Sequence, residues 1–250
     1  MASCWNSVKT PSKVIDEQFA VSVDTSWKQG SVSLIRRWQN NYKFGQIEAV
    51  ETVPLLGGAF SAQLVPQIAA LLDRRGLDKH KLCGFVAASG PGSFTGLRVG
   101  LAAIKALAEI LGKPIAALSV LFAMARTCHD GHVFTILDAG RGEWYVGEYD
   151  LAAVATRSRH EWLGTPEELD RVLQTASDCK IVVAEEHVQA QVESLAAVKQ
   201  HKFSARRIPR PGSAEIGCLG VRAIRSGEIV TPEELDANYI RRSDAEIFRK

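Results

Sequence analysis

The sequence predicts an α/β protein of two lobes, each a mixed sheet flanked by helices. Three observations carry this expectation. The order three strands, helix, strand, helix occurs twice along the 250 residues, a pattern that builds sheets covered by helices. Both halves end their first strand in aspartate, at Asp24-Thr25-Ser26 and at Asp138-Ala139-Gly140. In the first half an apolar run, CGFVAA from Cys83, meets the glycine turn SGPGSFTG and then a long helix-period segment, LRVGLAAIKALAEILG.

The elements follow in order. The first 17 residues are polar and read as a disordered or extended segment. Phe19–Asp24, Ser31–Arg37 and Gln46–Val53 are strands, and Ser61–Arg75 is a helix bent at Pro66. Strand Cys83–Ala88, the helix over Thr95–Leu111 and strand Ile115–Leu118 complete the first lobe, residues 18–128. The second lobe, residues 129–250, restarts with strands His132–Asp138 and Glu143–Tyr149 and a weaker one near Arg159–Leu163. A helix opens at Thr165-Pro166-Glu167-Glu168, with the capping-box spacing of Thr165 to Glu168 and proline at the first helical position. Strand Lys180–Ala184 and helices His187–Ala197 and Ser213–Ser226 follow. TPEELD returns at Thr231, the same cap solution reused.

A strand that feeds glycines into a helix start commonly aims N–H groups at an anion. Here no Gly-Lys-Ser/Thr follows, the spacing of GPGSFTG is wrong for G-x-G-x-x-G, and no ribose-binding acid is suitably placed. The structural reading is a tight reversal with Ser93 or Thr95 capping the helix. At 100° per residue, Arg98, Lys105 and Glu109 fall within about 40° of one another, leaving an apolar arc of roughly 260°. Leu97, Leu101, Ile104, Ala108 and Leu111 form one stripe, and Val99, Ala103, Ala106 and Ile110 another. That is far more than one surface stripe needs, so one face belongs to the sheet and the other to a second helix or another protein.

Composition excludes several classes. With 30 basic and 28 acidic residues the net charge is +2, which provides no global attraction to nucleic acid or membrane. Arg206-Arg207-Ile208-Pro209-Arg210 and the Arg241-Arg242 pair leave RNA contact open, with solvated surface as the plainer reading. Five scattered cysteines without a CxxC point to reduced thiols in a cytoplasm. No apolar run approaches a membrane span, and the first residues lack the core of a signal peptide.

The double layout resembles the two ribonuclease-H-like lobes of the actin, Hsp70 and sugar-kinase superfamily, whose Asp-ending hairpins grip ATP phosphates across a cleft. VDTS at Val23–Ser26, SGPGSFTGLRVGLAAIKALA at Ser89–Ala108, LDAGRGEWY at Leu137–Tyr145 and NYIRRSDAEI at Asn238–Ile247 narrow this: the chain resembles the bacterial TsaB (YeaZ) family over everything after residue 18. The resemblance implies a non-catalytic, cytoplasmic scaffold subunit. Its partner is a homologous TsaD-like subunit that holds metal and nucleotide and threonylcarbamoylates the adenosine next to the anticodon; a TsaE-like ATPase joins them. It implies contact through a bundle of first-lobe helices, with Leu64, Ile68, Leu97, Leu101, Ile104, Ala106 and Ala108 as interface residues. On that basis Leu101→Asp or Ala106→Glu is expected to abolish pairing and leave the monomer folded, and the chain alone is expected to form a homodimer through the same surface. Contact with tRNA is at most indirect, and no membrane partner is implied.

Catalytic candidates are sparse. The TsaD relatives bind metal through paired histidines on the first-lobe helix, whereas Phe60–Pro66 here has none, so neither a metal nor a cofactor is expected and the older idea of a metalloprotease fails. Cys128, His129 and His132 read as a polar connector without a fourth ligand; the other histidines are isolated, and no Ser-His-Asp or Cys-His spacing stands out. Asp24, Thr25 and Ser26, faced by Asp138 and Gly140, are weak candidates for a magnesium–phosphate site. SAEIG at Ser213–Gly217 is a poor adenosine pocket, and Arg141 and Glu143 suit an inter-lobe hinge or a partner contact. The alternative to the scaffold is an independent ATP-binding enzyme of the same fold, a small kinase or ATPase.

Overall fold

The computed structural model describes residues 14–40, 43–152 and 156–241. The first sheet contains β1 (Val14–Asp24), β2 (Gly30–Asn40), β3 (Lys43–Leu55), β4 (Leu82–Gly90) and β5 (Ile115–Ser119), in the order β3-β2-β1-β4-β5. The second contains β6 (Gly131–Gly140), β7 (Glu143–Leu151), β8 (Thr156–Gly164), β9 (Lys180–Val183) and β10 (Ala205–Arg207), in the order β8-β7-β6-β9-β10. In both, the first three strands form an antiparallel meander and the last two add in parallel. The same topology therefore occurs twice, and each copy is a ribonuclease-H-like lobe.

Central strands are apolar on both faces because helices cover both. Ala20, Val21 and Val23 of β1, and Val133, Phe134 and Ile136 of β6, are buried throughout. On one face of the first sheet lie α1 (Phe60–Arg74) and α2 (Phe94–Leu111), whose Leu64, Ile68, Leu101 and Ile104 join Val21, Leu34 and Phe85 in one core. On the outer face of the second sheet, α4 (Pro166–Leu173), α5 (Glu186–Ser194) and α6 (Ala196–His201) contribute Leu169, Leu173, Val188 and Val198 to another. The capping box of α4 forms as the spacing predicts: Thr165 N donates to Glu168 Oε2 at 2.9 Å, and Glu168 N to Thr165 Oγ1 at 3.3 Å.

The two remaining helices are exchanged between lobes. After β5 the chain forms α3 (Val120–Ala125), which packs mainly on β6 and β7 of the second sheet; after β10 it forms α7 (Ser213–Ser226), which packs on β1, β2 and β4 of the first. Ile216 and Ala223 of α7, Leu121 and Met124 of α3, and Val86, Leu137 and Tyr149 of the two sheets share one core. The expected division at residue 128 follows chain order and not packing: α7 lies on the first sheet, and Val230 N beyond it bonds Ile115 O at 2.9 Å. Sequence order alone does not carry this, since an amphipathic helix declares which face is buried and not against which sheet.

Smaller differences have local causes. β1 begins at Val14, so part of the segment expected to be disordered is paired strand, with Asp16 opposite Gln39 and Glu17 opposite Trp38. Its polar character reflects the buried Arg37 guanidinium, which bonds Asp16 at 2.8 Å and Gln18 at 3.2 Å. Residues 1–13 of that expected segment lie outside the described residues. The helix expected over His187–Ala197 is split where Leu195 turns extended, at ψ 144°. The second TPEELD makes both cap bonds, at 3.0 and 3.3 Å, and yields one turn rather than a helix. The three-residue β10 is too short and too charged to stand out. Among the described residues no helix is long and apolar enough to cross a membrane.

Candidate functional site

Two surfaces bear on function: the cleft between the lobes, where Asp24, Thr25, Ser26 and Asp138 were expected to converge, and the outward side of α1 and α2. The β1–β2 turn comes first. Asp24, Thr25 and Ser26 are 4%, 2% and 0% exposed. Asp24 Oδ1 accepts Ser26 N at 2.9 Å, so the carboxylate serves its own turn. The start of α2 lies directly on this turn: Ser93 N donates to Ser26 O at 2.8 Å, and a Cβ at Gly96 would stand 2.1 Å from Thr25 O. At Gly92 the corresponding distance to Ser26 O is 2.0 Å. The glycines of SGPGSFTG are thus a close-packing device that seats α2 on the aspartate turn, while Ser93 caps the helix by accepting Gly96 N at 3.2 Å.

Asp138 makes no hydrogen bond to the Asp24 turn among the described residues. It lines a cleft of about 360 Å³ with Trp27, Lys28, Gly92, Ser93 and Tyr145, and the buried Asp24–Ser26 turn is not part of that lining. Its Oδ1 accepts Gly140 N at 2.7 Å, and its Oδ2 lies 3.3 Å from His187 Nε2. SAEIG is the opening of α7, where Ser213 Oγ bonds Ser33 Oγ and Ser31 Oγ at 2.7 and 2.8 Å. Glu143 pairs with Arg241, whose Nη2 also donates to Gly140 O at 3.2 Å. That places Glu143 where a segment of the C-terminal chain meets the β6–β7 turn.

The residue missed from sequence is Arg210. Read as part of a basic surface stretch, it instead reaches across the cleft, donating to Ser26 Oγ at 3.4 Å and Pro91 O at 3.1 Å, with its guanidinium 4.5 Å from the Trp27 ring centroid. Its one available signal is its setting between Pro209 and Pro211, which fixes an extended backbone. Arg206 and Arg207 of the same stretch are exposed; they hold Thr127 Oγ1 at 2.6 Å and Glu186 at 2.9 Å. Burial pushes the Asp24 carboxyl above its ordinary value of 3.8, against the opposing bonds from Ser26 and the charge of Arg210. An acid whose folded-state value is raised favours folding below its unfolded value and loses that advantage as pH rises through the folded one. Asp24→Asn, which keeps the acceptor oxygen, is therefore expected to gain stability relative to the parent as pH climbs above about 3.8. Parallel denaturation curves from pH 4 to 7 check this, and a constant difference between the two proteins would contradict it.

Cys128, His129 and His132 do not assemble a metal site: His132 Nε2 lies 2.8 Å from Glu148 Oε1, Arg206 Nη2 donates to Cys128 Sγ at 3.5 Å, and no group of three metal-ligating side chains occurs among the described residues.

The second surface corrects the interface expected from sequence. Leu64, Ile68, Leu97, Leu101, Ile104 and Ala108 are at most 6% exposed, because this stripe of each helix faces the chain's own sheet. Ala106 alone of that set is exposed. Leu101→Asp would therefore unfold the lobe rather than test a contact. What faces outward is only part of the second expected stripe, Ala106 and Ile110, joined by Ala102, while Val99 and Ala103 pack on the core; on α1 the outward residues are Ala62, Val65 and Ala69. Ile110 is 78% and Val65 46% exposed, so two adjacent helices present small and apolar side chains to solvent. Backbones with alanines between them approach closely, which suits helix-on-helix packing.

Residues 55–247 match the family model described as TsaD: tRNA N6-adenosine threonylcarbamoyltransferase. The chain is 29% identical over 237 residues to the tRNA threonylcarbamoyladenosine biosynthesis protein TsaB of Bacillus subtilis, covering 90% of this chain and 95% of that one. Over 63 residues it is 38% identical to the tRNA N6-adenosine threonylcarbamoyltransferase of Erythrobacter litoralis, which spans 25% of this chain and 18% of that protein. Its fold is that of a Pseudomonas aeruginosa crystal structure described as an uncharacterized protein with similarity to peptidase YEAZ, at a TM-score of 0.66 and 24% identity, covering 90% of this chain and all of that one.

Proposed function

Since the chain belongs to the TsaD family, on its TsaB (YeaZ) side, we propose that it is the non-catalytic subunit of a complex that threonylcarbamoylates the adenosine next to the tRNA anticodon, binding and activating a TsaD-like transferase. The observation that carries this reading is the outward stripe of α1 and α2, where Val65 and Ile110 stand exposed among alanines. Large side chains left in solvent on neighbouring helices mark a surface made to be covered. A homologous subunit that folds the same way would offer matching helices, and the short similarity to a transferase supports a common origin of the two. The complex works in the cytoplasm, in keeping with the free thiols of Cys83, Cys128, Cys179 and Cys218. A TsaE-like ATPase completes it, and tRNA is met chiefly by the partner.

The buried aspartate turn supports scaffold over ATP-using enzyme. Asp24, Thr25 and Ser26 are closed over by α2, and Arg210 occupies the space between them and the second lobe. Reconstitution tests the reading: the transferase subunit should modify tRNA only when this chain is added, and the chain alone should give no heat with Mg-ATP. Modification by the partner alone, or ATP binding that falls in Asp24→Ala, would reverse the assignment. Alone, the chain should cover the same stripe with a second copy. Light scattering across a hundredfold concentration range should show a monomer–dimer shift; a constant monomer would rule the homodimer out.

A further inference from the structure

Arg98 stands where the outward stripe of α2 meets the C-terminal segment. Its guanidinium packs on the Phe94 ring, with Cζ 3.7 Å from the centroid, and its Nε donates to the Tyr239 hydroxyl at 3.1 Å. Tyr239 itself rests on Phe94, with the ring centroids 5.1 Å apart. The segment is anchored beside it: Asn238 N donates to Ser89 O at 2.7 Å, Asn238 Nδ2 bonds Glu161, and Arg241 bonds Gly140 O and Glu143. An exposed arginine usually samples many rotamers; this one is held from two sides with only Nε used.

Among the described residues Arg98 has no carboxylate partner, unlike Arg36, Arg37, Arg74, Arg75, Arg159 and Arg207. Arg206 and Arg210 share that lack but bond neutral oxygens within the fold. Arg98 is exposed, and Lys105 lies on the same flank of α2. One helical turn beyond Arg98 comes Ala102, the first exposed alanine of the outward stripe. The fork is therefore at the rim of the face proposed to meet the transferase subunit.

We infer that Arg98 is the charged anchor of that face, a pre-set fork for a carboxylate on the transferase subunit, and that Tyr239 is the positioning residue that sets it. This rests on the docking reading above. Planar guanidinium forks bind carboxylates through two parallel bonds, and fixing the fork beforehand removes part of the ordering cost of association. A rim charge also speeds encounter and makes binding salt-sensitive. The C-terminal segment thereby becomes a determinant of partner choice without contributing the contact itself.

The test measures binding of the purified transferase subunit to the full chain at low and high salt, for the parent, Arg98→Ala, Arg98→Lys, Tyr239→Phe and Ala106→Glu. Arg98→Ala should bind about tenfold more weakly at low salt, with a flattened salt dependence. Lysine should restore the salt dependence and not the affinity, because it lacks the fork. Tyr239→Phe keeps the ring and loses the hydroxyl; it should weaken binding severalfold and leave the salt dependence intact. If Arg98→Ala proves unfolded by circular dichroism, the lysine variant decides. Parent-like affinity in Arg98→Ala or Arg98→Lys, with Ala106→Glu failing to bind, would overturn the anchor and spare the docking face. Parent-like binding by Ala106→Glu would remove the docking face and the anchor with it.

Discussion

Ala106→Glu is expected to abolish association with the transferase subunit while leaving this chain folded. Ala106 is exposed at the centre of the outward stripe of α2, opposite the stripe that packs on the sheet. In the free chain a glutamate there meets only water, and an exposed substitution on a helix costs within about 0.5 kcal/mol. In the complex the same carboxylate would be buried against apolar side chains with no partner, a penalty of about 3 kcal/mol or more, or at least a hundredfold in affinity. Titration of the transferase subunit should give no measurable complex at concentrations that saturate the parent, with an unchanged melting curve. Undiminished binding would mean that α2 does not face the partner. The contrast with Leu101 gives the experiment its meaning. Leu101 is 6% exposed and contributes to the first-lobe core, so a charge there would destroy binding by unfolding the lobe.

Gly96→Ala should be strongly destabilising. Its Cβ would sit 2.1 Å from the Thr25 carbonyl oxygen, a backbone atom that cannot swing aside. To admit it, the first turn of α2 must lift from the β1–β2 turn, breaking the Ser93 N to Ser26 O bond and exposing Asp24 and Ser26. Overpacking of this kind costs typically about 1–3 kcal/mol, and a backbone clash belongs at the top of that range or beyond. For a chain of this size that is a fall in melting temperature of roughly 6–12 °C. Thr95→Ala, the exposed neighbour, should melt like the parent. Equal melting of Gly96→Ala and Thr95→Ala would show that the contact between α2 and the turn does not hold the lobe together. Because α2 also carries the outward stripe, Gly96→Ala should weaken partner binding as well, more than its effect on stability alone explains.

Much of the architecture is legible in local sequence. Hydropathy periods and cap residues place most strands and helices, the repetition of their order predicts two alike sheets, and the capping box at Thr165 forms as its spacing requires. The 260° apolar arc of α2 is wider than the face the sheet covers, and its remainder, with Ala106 and Ile110, stands exposed. Local chemistry dominates all of these, and neighbours in sequence settle it.

Which stripe of α2 meets the sheet is settled by long-range packing. The sheet takes the stripe of Leu97, Leu101, Ile104 and Ala108, and Ala102, Ala106 and Ile110 face out; with no sheet in view, the two stripes are both simply apolar. Long-range packing also settles that α3 and α7 are exchanged between lobes, that Arg210 crosses the cleft instead of facing solvent, and that Tyr239 lies against Arg98, 141 residues away in sequence. These are contacts between distant segments, and composition and periodicity describe only what a segment needs, never which segment supplies it. The glycines of SGPGSFTG mark the boundary between the two kinds of knowledge. The sequence shows that something comes close to the backbone there, and only the fold shows that it is the Asp24 turn of the same chain.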